Sequence, residues 1–70
     1  MMQENHDEQN WFFTFGHGQQ HGPDCYAVFH GTFSSARAQM FEHFGPEWSF
    51  QYGPTRAAEI IEKYDLKKIN

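Results

Sequence analysis

Trp11-Phe12-Phe13-Thr14-Phe15 and, beyond a glycine-rich segment, Cys25-Tyr26-Ala27-Val28-Phe29-His30 decide the fold. In the first run Trp11, Phe13 and Phe15 alternate with Phe12 and Thr14, the period-two pattern of a strand with a buried face. In the second, Cys25, Ala27 and Phe29 share one face and Tyr26, Val28 and His30 the other. The two runs are expected to pair as an antiparallel hairpin. Between them lies Gly16-His17-Gly18-Gln19-Gln20-His21-Gly22-Pro23-Asp24, whose glycines and proline exclude regular structure.

Outward from the hairpin the signals change period. Ser34 can cap a helix over Ser35 to Phe44, with Ala36, Met40, Phe41 and Phe44 on one stripe. Gly45 and Pro46 end it. Trp48-Ser49-Phe50-Gln51-Tyr52 alternates again and predicts a third strand with Trp48, Phe50 and Tyr52 inward. Gly53-Pro54 opens a last helix, proline being tolerated in a first turn. Its apolar stripe is Ala57, Ala58, Ile61 and Tyr64. The expected fold is a small single α+β domain in β-β-α-β-α order: a short antiparallel sheet with helices packed on one side. Residues 1–10 read as a mobile polar arm, 11–66 as the domain and 67–70 as a frayed end.

Composition narrows the function. The chain has 70 residues and a formal charge of −4, from nine acids and five Lys or Arg. Such a balance argues against a nucleic-acid binder held by phosphate contacts. No apolar run approaches the ~20 residues of a membrane helix. Met1 to Asn10 has the character of neither a secretory signal nor a transit peptide. A lone cysteine fits a reducing compartment, so a cytoplasmic location is expected. A domain of this size buries only ~60% of its unfolded surface and usually needs a staple. It also has little chain left for a substrate cleft, which favours a non-catalytic binding module, most simply a monomer, over an enzyme.

A metal is the available staple. His17, His21 and Cys25 recur every fourth residue, and imidazole and thiolate are the usual zinc donors. The spacing matches no standard zinc finger. The fourth donor is chosen by reach. His30 is ~16 Å along the strand from Cys25, and His6 lies beyond the opposite strand end. A ten-residue helix rises ~15 Å and returns His43 to the loop. Asp24 and a water are the other options. A structural zinc on His17, His21, Cys25 and His43 is the resulting expectation. Two other readings are weaker. Gly16-His17-Gly18 lacks the spacing and the Lys-Ser/Thr pair of a phosphate loop, and Cys25 lacks an evident orienting partner for a nucleophile. Glu42, Glu47, Glu59 and Glu62 are candidate partner-binding residues on charge alone; a solvated face explains them equally well.

The segments W-F-F-T-F-G-H-G-Q-Q-H (Trp11 to His21) and G-T-F-S-S-A-R-A-Q-M-F-E-H-F-G-P-E-W-S-F-Q-Y (Gly31 to Tyr52) resemble small proteins encoded by phages and prophages of Gram-positive bacteria. Within them, F-T-F-G-x-G-Q-x-H and W-x-F-Q-Y carry the likeness, which spans roughly residues 11 to 52. The chain looks like a zinc-containing type II-A anti-CRISPR protein. That resemblance implies a stoichiometric inhibitor that binds the type II CRISPR effector nuclease with its guide and hinders target DNA loading or cleavage, without itself binding nucleic acid. Relatives carry Cys at the position of His17, and both are zinc donors; Cys25 and His43 follow the pattern less closely. The alternative is a zinc-stabilised interaction module or regulator with another host target.

Overall fold

The computed structural model describes residues 8–16 and 22–70. Four strands and two helices follow in the order β1 (Gln9–Thr14), β2 (Cys25–Gly31), α1 (Phe33–Phe44), β3 (Phe50–Tyr52), α2 (Pro54–Tyr64) and β4 (Lys67–Lys68). The expected small α+β domain is what forms. The sheet order is β3-β1-β2-β4.

The hairpin pairs as the alternation predicts, with Trp11 opposite Phe29 and Phe13 opposite Ala27. Odd-numbered residues of β1 and β2 therefore share one face. That face carries the main core: Trp11, Phe13, Phe15, Ala27, Ala36 and Met40 are buried together, with Cys25, Phe29, Phe33, Phe44 and Trp48 packed around them. Phe13 and Met40 are the largest fully buried side chains. Burying a side chain of that size is worth about 1.5–3 kcal/mol. Ala27 on β2 and Ala36 on α1 are both fully buried, and their small side chains let helix and sheet approach closely. Edge-to-face rings complete the packing: Trp11 on Phe33 at 5.1 Å and Phe13 on Trp48 at 5.1 Å between centroids.

The sheet is mixed, not wholly antiparallel. β1 is antiparallel to both β2 and β3, whereas β4 runs parallel to β2. Hence β2, β3 and β4 all point the same way. The β2–α1–β3 crossover steps across the sheet in one direction, over β1. The β3–α2–β4 crossover returns in the other, over β1 and β2. Parallel crossovers are overwhelmingly right-handed, and two of one hand that step in opposite directions must lie on opposite faces. Residue parity agrees. α1 packs on the Trp11/Phe13 face, while Ile60 and Tyr64 of α2 line a cleft with Thr14 and Tyr52, whose strands turn those side chains to the other face. The helices thus sandwich the sheet and do not share one side as the sequence reading has it.

Local chemistry explains the element ends. Thr32, not Ser34, caps α1. Its hydroxyl accepts from Ser35 N at 3.1 Å and Ser35 Oγ accepts from Thr32 N at 2.9 Å, a reciprocal capping box. Gly45, at φ 73°, closes the helix, and its N–H donates to Phe41 O. α2 begins with Pro54 and ends at Asp65, which adopts a left-handed conformation at φ 53°. On its stripe Ala57 is buried and Ile60 and Ile61 are half-buried, but Ala58 is exposed.

Three further expectations are corrected. Trp48, Phe50 and Tyr52 do not all point inward. Trp48 lies in the turn before β3, where its N–H donates to Pro46 O, and its ring drops onto Phe13 and Phe41. Alternation starts only at Phe50, which is turned outward and exposed. The C-terminal residues do not fray. Lys67 N donates to Asp24 O, Ile69 N to Tyr26 O, and the Asn70 amide bonds both Val28 N and Val28 O. Leu66, just before β4, is buried. Within the expected N-terminal arm, Gln9 and Asn10 belong to β1 and face Gly31 and His30; residues 1–7 lie outside the described residues.

Candidate functional site

Of the four zinc donors read from the sequence, His17 and His21 lie outside the described residues. Cys25 opens β2, a half-buried free thiol on the core face. His43 occupies the last turn of α1, exposed, with its ring stacked on Phe29 at 5.2 Å between centroids. Cys25 and His43 are therefore on the same side of the sheet, as the returning-helix argument requires. The ring contact of His43, however, is with Phe29, four residues up the strand from Cys25, or about 13 Å along an extended chain. Among the described residues no group of three or more His, Cys, Asp or Glu side chains could hold a metal ion. His30, set aside on distance, bonds through Nδ1 to Asn10 Oδ1 at 3.0 Å.

The four glutamates do not gather into one patch. Glu42 is on α1 and Glu47 in the turn after it, whereas Glu59 and Glu62 are on α2, across the sheet. All four are exposed. Glu59 is paired with Arg56 at 3.3 Å, within the helix.

What the structure does assemble is aromatic; exposed aromatics at an anchor point are compatible with the sequence, but no residue pattern there identifies which rings they are. Large rings remain outside the core: Phe41 is 47% exposed and Phe50 and Tyr64 are each 61% exposed. Around Phe41, Trp48 packs edge-on at 5.8 Å, and the Arg37 guanidinium lies over Trp48 at 5.0 Å and Phe33 at 5.7 Å. Gln51 holds this group from the sheet. Its Nε2 donates to Phe33 O at 2.9 Å and its Oε1 accepts from Arg37 at 3.4 Å. The spacing Arg37-x3-Phe41 placed both on one helical face; nothing local pointed to the partnership with Gln51 and Trp48. On the α2 side Thr14, Pro23, Tyr52, Ile60, Tyr64 and Leu66, together with Phe15 of the main core, line an open cleft of about 230 Å³. This is below the roughly 300–1,000 Å³ of pockets that enclose small molecules.

No protein-family model matches the chain, and neither any curated protein nor any solved structure matches it. Among the described residues no helix is long and apolar enough to cross a membrane.

Proposed function

We propose that this chain is a non-catalytic protein-binding domain that acts as an inhibitor by occupying its partner. The observation that supports this reading is the set of large rings left outside the core on rigid elements. A ring exposed to water in the free protein is favourable surface for association, and aromatic and arginine side chains dominate the energetics of interfaces. The cleft is shallow and mainly apolar in its lining, which suits a contact surface better than an enclosed substrate.

The resemblance of Trp11–His21 and Gly31–Tyr52 to anti-CRISPR proteins makes the type II effector nuclease the first partner to test. Its nucleic-acid channels are strongly basic, and a chain of net charge −4 is drawn towards them. Target cleavage by the guide-loaded nuclease should stop when the chain is added at near-equimolar ratio. Unimpaired cleavage under a large molar excess would reject this target. Repeated recovery of one other host protein by the tagged chain would support the second reading, a regulator with a different target.

The zinc staple belongs to the same proposal. His17, His21 and Cys25 would hold the ion, with His43 as fourth donor after its ring leaves Phe29. Such a closed site supplies folding free energy and no open catalytic position. Elemental analysis of the purified chain should give one zinc per chain, and chelator should lower its melting temperature. Metal-free protein with an unchanged melting curve would remove the staple and leave the binding reading to stand on its surface.

A further inference from the structure

We infer that Arg37, Phe41 and Trp48 form the anchor of the interface, and that the partner group they receive is a single carboxylate beside an apolar side chain on a protein surface. This assignment rests on the reading of the chain as a protein-binding domain, and it puts a cation of this chain at the contact in place of Glu42, Glu47, Glu59 and Glu62, the partner-binding candidates that charge alone suggests.

Three observations support it. First, the Arg37 cation has no carboxylate partner among the described residues. The ion pairs there are Arg56–Glu59 and Lys67–Asp65, although acids outnumber Lys and Arg nine to five. Second, the guanidinium is held in place before any ligand arrives. Two rings flank it at 5.0 and 5.7 Å, and Gln51, itself tied to the first turn of α1, bonds one nitrogen. Ordering a free arginine costs side-chain entropy on binding; here much of that ordering is already present. A planar guanidinium on aromatic faces still offers its remaining N–H groups to a carboxylate in bidentate fashion. Third, Phe41 stands one helical turn along from Arg37, nearly half exposed and braced by Trp48. A cation and an apolar ring are thereby presented side by side, which fits a carboxylate flanked by an apolar residue. Charge selects the partner further. Glu42 and Glu47 neighbour Phe41 and Trp48 in the chain and, with the overall negative charge, repel a polyanion such as a nucleic acid more than they repel one carboxylate.

The test needs no nuclease, so its failure and the failure of the anti-CRISPR reading are separate results. The isotopically labelled full chain is titrated with acetyl-Phe-Glu-Leu-amide and with its Gln analogue, and the Arg Nε–H and indole N–H signals are followed by NMR. The Arg37 and Trp48 signals should move and saturate with the Glu peptide, and the Gln analogue should bind at least tenfold more weakly. Arg37→Lys keeps the charge but not the stacked fork, and should weaken binding at least fivefold with an unchanged melting temperature. Phe41→Ser should weaken it similarly. Equal shifts with both peptides, saturable shifts confined to other residues, or wild-type affinity in the folded Arg37→Lys chain would each overturn the assignment. So would a short oligothymidylate that moves the same signals at lower concentration than the peptide.

Discussion

Gly31→Ala should be among the most damaging single-methyl additions to this protein. Gly31 ends β2 at φ 149°, a backbone conformation that L side chains rarely adopt. A Cβ there would also overlap Ser35 Oγ, the atom that accepts from Thr32 N in the capping box. Backbone strain at such a position costs about 1–3 kcal/mol, and losing a helix cap about 0.5–2 kcal/mol. Together they predict a loss of about 2–4 kcal/mol. A domain of this length has roughly 3.5–10 kcal/mol of stability in all, so the variant should be close to unfolding. Urea denaturation followed by tryptophan emission is the direct assay, because Trp11 is buried and its Nε1 donates to Gly31 O at 2.9 Å. With a slope near 1 kcal/mol/M for a small protein, the midpoint should fall by about 2–4 M. A double-mutant cycle isolates the steric part. Ser35→Ala alone loses the cap, about 1 kcal/mol, but in the Ser35→Ala background the hydroxyl that the new Cβ would strike is gone, and the remaining neighbour, Ser35 Cβ at 3.5 Å, is an ordinary contact. The double variant should therefore cost about 1 kcal/mol less than the sum of the singles. Additive singles, or a Gly31→Ala chain as stable as the wild type, would refute the argument.

Other substitutions probe the remaining parts of the fold. Met40→Ala empties a fully buried site in the main core and should cost about 2–5 kcal/mol in the same urea assay. Asp65→Gly should raise stability by less than about 1 kcal/mol, since Asp65 sits at φ 53° and glycine takes that conformation without strain, a relief partly offset by glycine's greater unfolded-state entropy; its exposed pairing with Lys67 at 3.7 Å contributes little. Asn70→Ala removes both side-chain bonds to Val28 and should cost about 1–2 kcal/mol, with faster amide exchange at Val28; unchanged exchange there would argue against the docked C-terminus.

What could be read from the sequence was what repeats at short range. The two faces of β1 and β2, the Ala36, Met40 and Phe44 part of the α1 stripe, the stop of α1 at Gly45 and the start of α2 at Pro54 follow from period and from the backbone limits of glycine and proline; Phe41, read into the same stripe, is 47% exposed because it sits at the stripe's margin beside Trp48. Long-range pairing left no such trace. β4 is two lysines, and its attachment depends on backbone groups of Asp24 and Tyr26 and on an asparagine that bonds Val28 across 42 positions; Leu66 and Ile69 were the only apolar hint. The alternation of Trp48-Ser49-Phe50 continues back through a turn, so it points to a strand at Trp48 where the chain has not yet entered the ladder. The face of α2 could have been deduced only once β4 was known, since the handedness argument needs the parallel return strand. The metal donors were chosen by spacing and reach, and Cys25 and His43 do share a side of the sheet; the stacking of His43 on Phe29 depends on how α1 crosses β2, which spacing does not encode.

The sandwich also accounts for the aromatic surface. The α1 face takes most of the large buried side chains, and there Ala27 and Ala36 bring helix and sheet into close contact. Once α1 is drawn in this closely, its next row of residues, Arg37 and Phe41, falls beside Trp48 at the margin of the core, not within it. α2 must span two strands with a stripe of one buried alanine and two half-buried isoleucines. It is too thin to cover Phe12, Tyr26 and Tyr52, which stay half-buried on the opposite face. Of these two incompletely covered regions, only the first holds a cation fixed by rings and an amide. A larger residue at Ala36 would push α1 away from the sheet and release Arg37 from Trp48, so core packing and presentation of the anchor are coupled through one small side chain. Ala36→Val should accordingly weaken peptide binding at Arg37 more than it lowers the melting temperature would imply. Loss of stability with peptide affinity intact in the folded fraction would refute this coupling.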